Sequence, residues 1–167
     1  NPPKNIKWEK LYNLACYHKV SNIIYYSLKD VKDEYKMPED IWQKIYGDYK
    51  KGVAKEAVQH VMTEMILEEY EKSRIECIPL KGYVLKGFYP KPDMRTMGDI
   101  DIFYNEKKTL KVRQVMKNMG FKIVKVEDKH DKYYKKPFMT LELHKSLMGR
   151  AEPYASYYKD VWNKMKT

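Results

Sequence analysis

Gly98-Asp99-Ile100-Asp101-Ile102-Phe103 alternates acidic and apolar side chains at the two-residue period of a strand. Successive side chains on a strand point to opposite faces, so Ile100 and Ile102 share one face and Asp99 and Asp101 the other. The two aspartates stand two strand rises apart, ~6.6 Å between Cα atoms. Aspartate is disfavoured in strands, so a pair at this spacing needs a reason. Leu141-Glu142-Leu143-His144 repeats the design, with both leucines on one face and Glu142 and His144 on the other. If the two strands are neighbours, Glu142 joins the aspartates on one surface. Three close carboxylates repel one another and raise each other's pKa unless cations neutralise them. Hard divalent cations such as Mg²⁺ take carboxylate oxygens, with substrate phosphates completing the shell. Spacing alone leaves equally open a solvent-facing edge of an amphipathic sheet.

Working outward, Glu76-Cys77-Ile78-Pro79-Leu80 reads as a short strand, and Lys81-Gly82 turns the chain into a short helix over Tyr83 to Tyr89. A helix start offers free N–H groups to phosphate, glycine lets backbone approach closely, and Lys81 adds a charge. Arg95, four residues before Asp99, has the fork to grip a phosphate or carboxylate with two hydrogen bonds. Taken singly, each of these is ordinary surface. Residues 106–119 form a predicted helix with Leu110, Val112, Val115 and Met116 inward, stopped by Gly120. Phe121 to Val126, Tyr133-Tyr134 and Met139 to His144 are predicted strands, and a helical tail runs from Pro153 through Trp162. His130 sits in the polar segment Asp128-Lys129-His130-Asp131-Lys132 and, with His144, is a weaker candidate for substrate contact. His18 and His60 fall in helical segments and are given no chemistry.

Upstream, residues 6–29 read as helical, Lys29 to Tyr35 as a loop, and Pro38 opens a second helix with acids in its first turn. Gly47 and Gly52 punctuate the chain. From Val53 to Arg74 a two-row apolar stripe, Val53/Ala57/Val61/Met65 beside Ala54/Val58/Met62/Ile66, marks one long helix. The order of elements predicts an α+β fold, with helices packed on one face of a mixed sheet. Residues 1–50 are assigned to an N-terminal helical region and 51–167 to the core.

The 167 residues are 43% hydrophobic, a globular composition. No apolar run is long enough to span a bilayer, and NPPKNIKWEK has no signal-peptide core, so no membrane partner and a cytoplasmic location are expected. Cys16 and Cys77 form neither a disulfide framework nor a metal knuckle. The net charge of +10 favours an anionic partner. The 33 basic residues are nearly all lysines scattered along the chain, the pattern of a solvated surface and not of a nucleic-acid arm.

Taken together, Ile78-Pro79-Leu80-Lys81-Gly82, Tyr89-Pro90, Arg95-Thr96-Met97-Gly98-Asp99-Ile100-Asp101-Ile102 and Leu141-Glu142-Leu143-His144 resemble the uncharacterised nucleotidyltransferase family of the polymerase-beta superfamily. The resemblance covers about Glu76 to Leu147. It implies a polymerase-beta-like nucleotidyltransferase core in which Gly82 is the turn glycine under a nucleoside triphosphate. It implies that Asp99, Asp101 and Glu142 hold two Mg²⁺ ions, with Mn²⁺ as the alternative. Lys81, Gly82 and Arg95 are then the nucleotide-binding residues. The wider superfamily has Gly-Ser at the turn where this chain has Gly82-Tyr83, and Lys81 is the substitute phosphate contact. The implied reaction is in-line attack of an acceptor hydroxyl on the α-phosphate. The acceptor, whether small molecule, sugar, protein or RNA, is open. Members of the resembled family run on into a C-terminal part, so a fragment or a minimal version is expected. Two rivals stand beside this reading. A metal-dependent phosphodiesterase or nuclease would use the same carboxylates but has no role for the Lys81-Gly82 turn. A non-catalytic nucleotide- or RNA-binding module would find three acids a hindrance.

Overall fold

Chain reversals, more than helix formers, decide where the helices of this protein begin and end. The structure is a computed structural model and describes residues 6–149, 153–158 and 161–164. The region 6–29, predicted as one helical stretch, is two helices, α1 (Trp8–Tyr17) and α2 (Ser21–Leu28). Lys19 breaks them in the left-handed conformation, φ +56°. Its N–H donates to Cys16 O and that of Val20 to Ala15 O, which satisfies the last carbonyls of α1. The same closure recurs at Arg74 (φ +52°), and at Gly120 (φ +79°), the predicted stop.

The predicted break at Gly47 and Gly52 is absent. A single helix, α3 (Glu39–Lys72), runs for 34 residues through both glycines. Gly52 has a packing reason to be glycine, since a Cβ there would stand 3.3 Å from the Cβ of Asn22. Gly47 has none, as its Cβ would meet nothing within 4 Å.

The chain divides into two units. One runs up to Ala57 and takes in Lys86–Thr96; the other holds Val58–Leu85 and the chain from Met97 onward. In the first, Ala15, Ile41 and Ile45 are buried, and Tyr25 stacks on Tyr49 with ring centroids 3.9 Å apart. Asn22 donates to the backbone oxygen of Asp93, whose carboxylate accepts from the Tyr26 hydroxyl at 3.0 Å.

The second unit carries a five-stranded mixed sheet. Its strands are β1 (Cys77–Pro79), β2 (Ile100–Tyr104), β3 (Lys122–Val126), β4 (His130–Lys135) and β5 (Met139–His144). They lie in the order β1-β2-β5-β4-β3, with only the β2–β5 pair parallel. The α+β class and mixed sheet are as predicted. Ile100, Ile102 and Tyr104 of β2, Tyr133 of β4, and Met139, Leu141 and Leu143 of β5 form a single apolar face. Ile66 and Tyr70 of α3 join that core, as do Val112 and Met116 of α5 (Thr109–Asn118).

Two predicted helix faces are corrected. On α3 the row Val53/Val61/Met65 is exposed, while Gln59, Thr63, Ile66 and Tyr70 are buried. The inward face includes two polar residues that hydrophobicity alone excludes. Thr63 Oγ1 donates to Gln59 O at 2.6 Å, and the Gln59 amide reaches Met97 O and Phe138 O at 3.4 Å. On α5, Leu110 is exposed because it lies two residues, about 200° of turn, before Val112. Short helices α4 (Gly82–Leu85), α6 (Ala155–Tyr158) and α7 (Val161–Lys164) complete the described α-helices, and single 3-10 turns lie at Lys86–Phe88, Pro92–Met94 and Glu106–Lys108. No helix is long and apolar enough to cross a membrane among the described residues.

Replacing Gly47 by Ala should stabilise the protein by about 0.5–1 kcal/mol, because the site is helical and open. Gly52→Ala should gain less or lose stability, since Asn22 must yield. Urea midpoints of the two variants against the parent check the ordering.

Candidate active site

The parallel register sets Asp101 beside Glu142 and Phe103 beside His144. The antiparallel register then sets Lys132 beside Glu142 and His130 beside His144. Two rows result on the face opposite the apolar core, Asp101–Glu142–Lys132 and Phe103–His144–His130. The alternation seen in the sequence puts them there, since every core residue of β2 and β5 is one position away.

Asp101 is 8% exposed, yet its carboxylate is not left unpaired. Its Oδ1 lies 2.8 Å from His144 Nε2 and 3.0 Å from Lys81 Nζ. Burial pushes the Asp101 carboxyl up, but the hydrogen bonds from His144 and Lys81 and their charge outweigh it, holding the group below the usual carboxylate range. Glu142 Oε1 accepts from Lys132 Nζ at 3.0 Å, and its Oε2 lies 3.8 Å from His130 and 3.9 Å from His144. The hydrogen bond that Lys132 donates to Glu142 raises the pKa of the Lys132 ammonium. The mutual repulsion expected of the acids is therefore countered by lysines of the chain itself.

Asp99 precedes the first residue of β2, with its side chain 40% exposed and Oδ2 3.9 Å from Lys132 Nζ. The tight cluster consists of Asp101, Glu142 and His144, each offering one ligand atom, all within 4.8 Å of one another. Two carboxylates and an imidazole suit a divalent cation; the carboxylates favour Mg²⁺ or Mn²⁺, and the imidazole is compatible with Mn²⁺. His144, on the same strand face as Glu142, bonds Asp101. His130 pairs with Glu127 at 3.0 Å.

Lys81 adopts the left-handed conformation, φ +46°, unusual for a lysine, and from there its side chain reaches Asp101. Gly82 opens α4. Tyr83 has its hydroxyl turned toward α3, 3.1 Å from His60 Nδ1 and bonded to Glu64. His60, given no chemistry by the sequence, thus anchors the residue after the turn. Arg95 belongs to the first unit, where it closes the Pro92–Met94 turn.

Sequence reading missed Lys132, although its even spacing from His130 on one strand is the available signal. It also did not separate Asp131 from its polar neighbours. Asp131 points to the core face, 1% exposed, held by Arg113 at 2.8 Å and Lys145 at 2.8 Å. It is a structural carboxylate, one position out of phase with the site.

A family model described as an uncharacterised nucleotidyltransferase matches residues 4–167. No curated protein and no solved structure matches.

Asp101→Asn should cost about 1–2 kcal/mol of stability at neutral pH, because His144 and Lys81 lose a charged acceptor. The Asp101 pKa is lowered by folding, so its contribution is present above the unfolded value, about pH 4, and fades as pH falls through the folded value. Urea midpoints of parent and variant should therefore differ at pH 7 and converge in acid.

Proposed function

The chain belongs to the uncharacterised nucleotidyltransferase family, and on that premise we propose that it moves a nucleoside monophosphate from a nucleoside triphosphate to an acceptor hydroxyl. The observation that carries this reading is the juxtaposition of Asp101 and Glu142 on adjacent parallel strands, with Asp99 at the head of the first and Lys81 at Asp101. A polymerase-beta-like core is part of the proposal, and so are a cytoplasmic location and the use of two Mg²⁺ or Mn²⁺ ions. Asp99, Asp101 and Glu142 are the proposed metal ligands, and His144 lies within reach of the same cluster. The ions would supply Lewis-acid activation of the hydroxyl and charge neutralisation at the pyrophosphate.

The chain's own residues have the following parts. Lys81 and Gly82 are the proposed triphosphate contacts, the ammonium of Lys81 exchanging the Asp101 carboxylate for a phosphate oxygen. Arg95 is retained as a phosphate candidate on its sequence spacing alone. Lys132 holds the Glu142 carboxylate by one oxygen, which fixes its orientation and leaves the other for the acceptor proton. His144 orients Asp101 through its 2.8 Å bond. In the reaction the acceptor oxygen bonds the α-phosphorus as the bond to the pyrophosphate oxygen breaks, and the hydroxyl proton passes to Glu142.

Asp99→Asn, Asp101→Asn and Glu142→Gln should each lower the transfer rate by about 100-fold or more, since each removes several kcal/mol of charge stabilisation. Calorimetric titration of the four nucleoside triphosphates should show Mg²⁺-dependent binding to the parent chain, lost in the Asp99/Asp101 double variant. Lys81→Ala should weaken triphosphate binding more than metal binding. Triphosphate binding that ignores both Mg²⁺ and the double substitution would defeat the assignment.

A further inference from the structure

We propose that the cavity at the carboxyl ends of β2 and β5 is the acceptor pocket, and that the acceptor is a small, ring-bearing molecule with a hydroxyl group. The proposal rests on the nucleotidyl-transfer reading above and answers what that reading leaves open.

The layout along β2 motivates it. Leu80 N donates to Asp101 O, and Lys81 Nζ sits at the Asp101 carboxylate, so the phosphate-binding turn flanks the start of the strand. Past Asp101, on the same face, stands Phe103, paired in register with His144. Immediately beyond it opens a cavity of about 690 Å³ bounded by Phe103, Asn105, Ser146, Ala155, Trp162 and Asn163. Carboxylates therefore lie between a basic turn on one side and a concave pocket on the other. In-line displacement requires the attacking oxygen and the leaving pyrophosphate on opposite sides of the phosphorus. With pyrophosphate departing toward Lys81, the acceptor approaches from the side of Phe103, and this is the pocket it meets. Its oxygen bonds the α-phosphorus, pyrophosphate leaves, and its proton passes to Glu142.

The lining states the chemical class. The cavity falls in the roughly 300–1,000 Å³ range of small-molecule sites. Trp162 stacks on the buried Phe103, centroids 4.8 Å apart and planes at 15°, and is itself partly exposed, an aromatic surface suited to a ring. The Asn163 carboxamide and the Ser146 and Ser156 hydroxyls add hydrogen-bonding groups for its polar edge, while Asn105 is held by Glu76 and by the N–H of Lys107. The charges around the rim are of both signs, Lys107 and Lys145 against Glu106 and Asp128, and Lys145 is already held by Asp131. A nucleic-acid backbone selects a groove of single sign, which this is not.

The test incubates the chain and Mg²⁺ with each of the four α-³²P-labelled nucleoside triphosphates and either the small-molecule filtrate or the macromolecular retentate of a cell extract. Label is expected in a filtrate compound. Ala155→Trp and, independently, Ser146→Phe fill the pocket from outside the sheet and should abolish that transfer while calorimetry shows unchanged triphosphate binding. Trp162→Ala should raise the KM for the labelled compound about tenfold through lost stacking, with triphosphate affinity unaltered. Label found only on protein or RNA, or transfer indifferent to both filling variants, overturns the proposal and leaves nucleotidyl transfer standing. Triphosphate binding without transfer to either fraction overturns the proposed function itself, and this inference with it.

Discussion

The parallel pairing of β2 with β5 is the constraint on which the second unit depends. Parallel neighbours need a crossover, and here α5 and the β3–β4 hairpin fill the chain between them. The register that sets Ile100 against Leu141 and Ile102 against Leu143 builds the core; the same register sets Asp101 against Glu142. Core and site are thus two faces of one alignment. A one-residue slip of either strand would send leucines to the polar face and acids into the core. Hydrophobic burial therefore enforces the placement of the carboxylates, with no need for attraction among them.

What the sequence made legible follows the same logic. Two-residue alternation in 98–103 and 141–144 is a local signal, so the strands and the faces of Asp101, Glu142 and His144 could be read directly. Register is not local. Lys132 became a partner of Glu142 only once β4 was known to flank β5, and Asp131 became a core residue for the same reason. Asp99, counted with Asp101 from spacing, falls just outside the regular strand, where alternation no longer dictates its direction.

The helices were misread where a residue acted against its type. Lys19 and Arg74 close helices in a conformation usually given to glycine, while Gly47 and Gly52 lie inside one. Gln59 and Thr63 are buried because their polar atoms find backbone partners, so the inward face of α3 is not its most apolar one. At Gly52 a close approach to Asn22, and at Gln59 backbone oxygens of Met97 and Phe138, are tertiary reasons that override composition; Lys19, Arg74 and Thr63 answer to local backbone hydrogen bonds, and Gly47 has no such reason.

The pairing of Lys81 with Asp101 and of Lys132 with Glu142 has a consequence for the order of assembly. A cluster of bare carboxylates would make the folded state wait for ions, as small metal-dependent domains do. Here each acid of the central row finds a cation on a strand or turn of its own chain. The charges of this row are therefore balanced without an ion, and under the proposed function a divalent cation would enter by exchange of one positive charge for another.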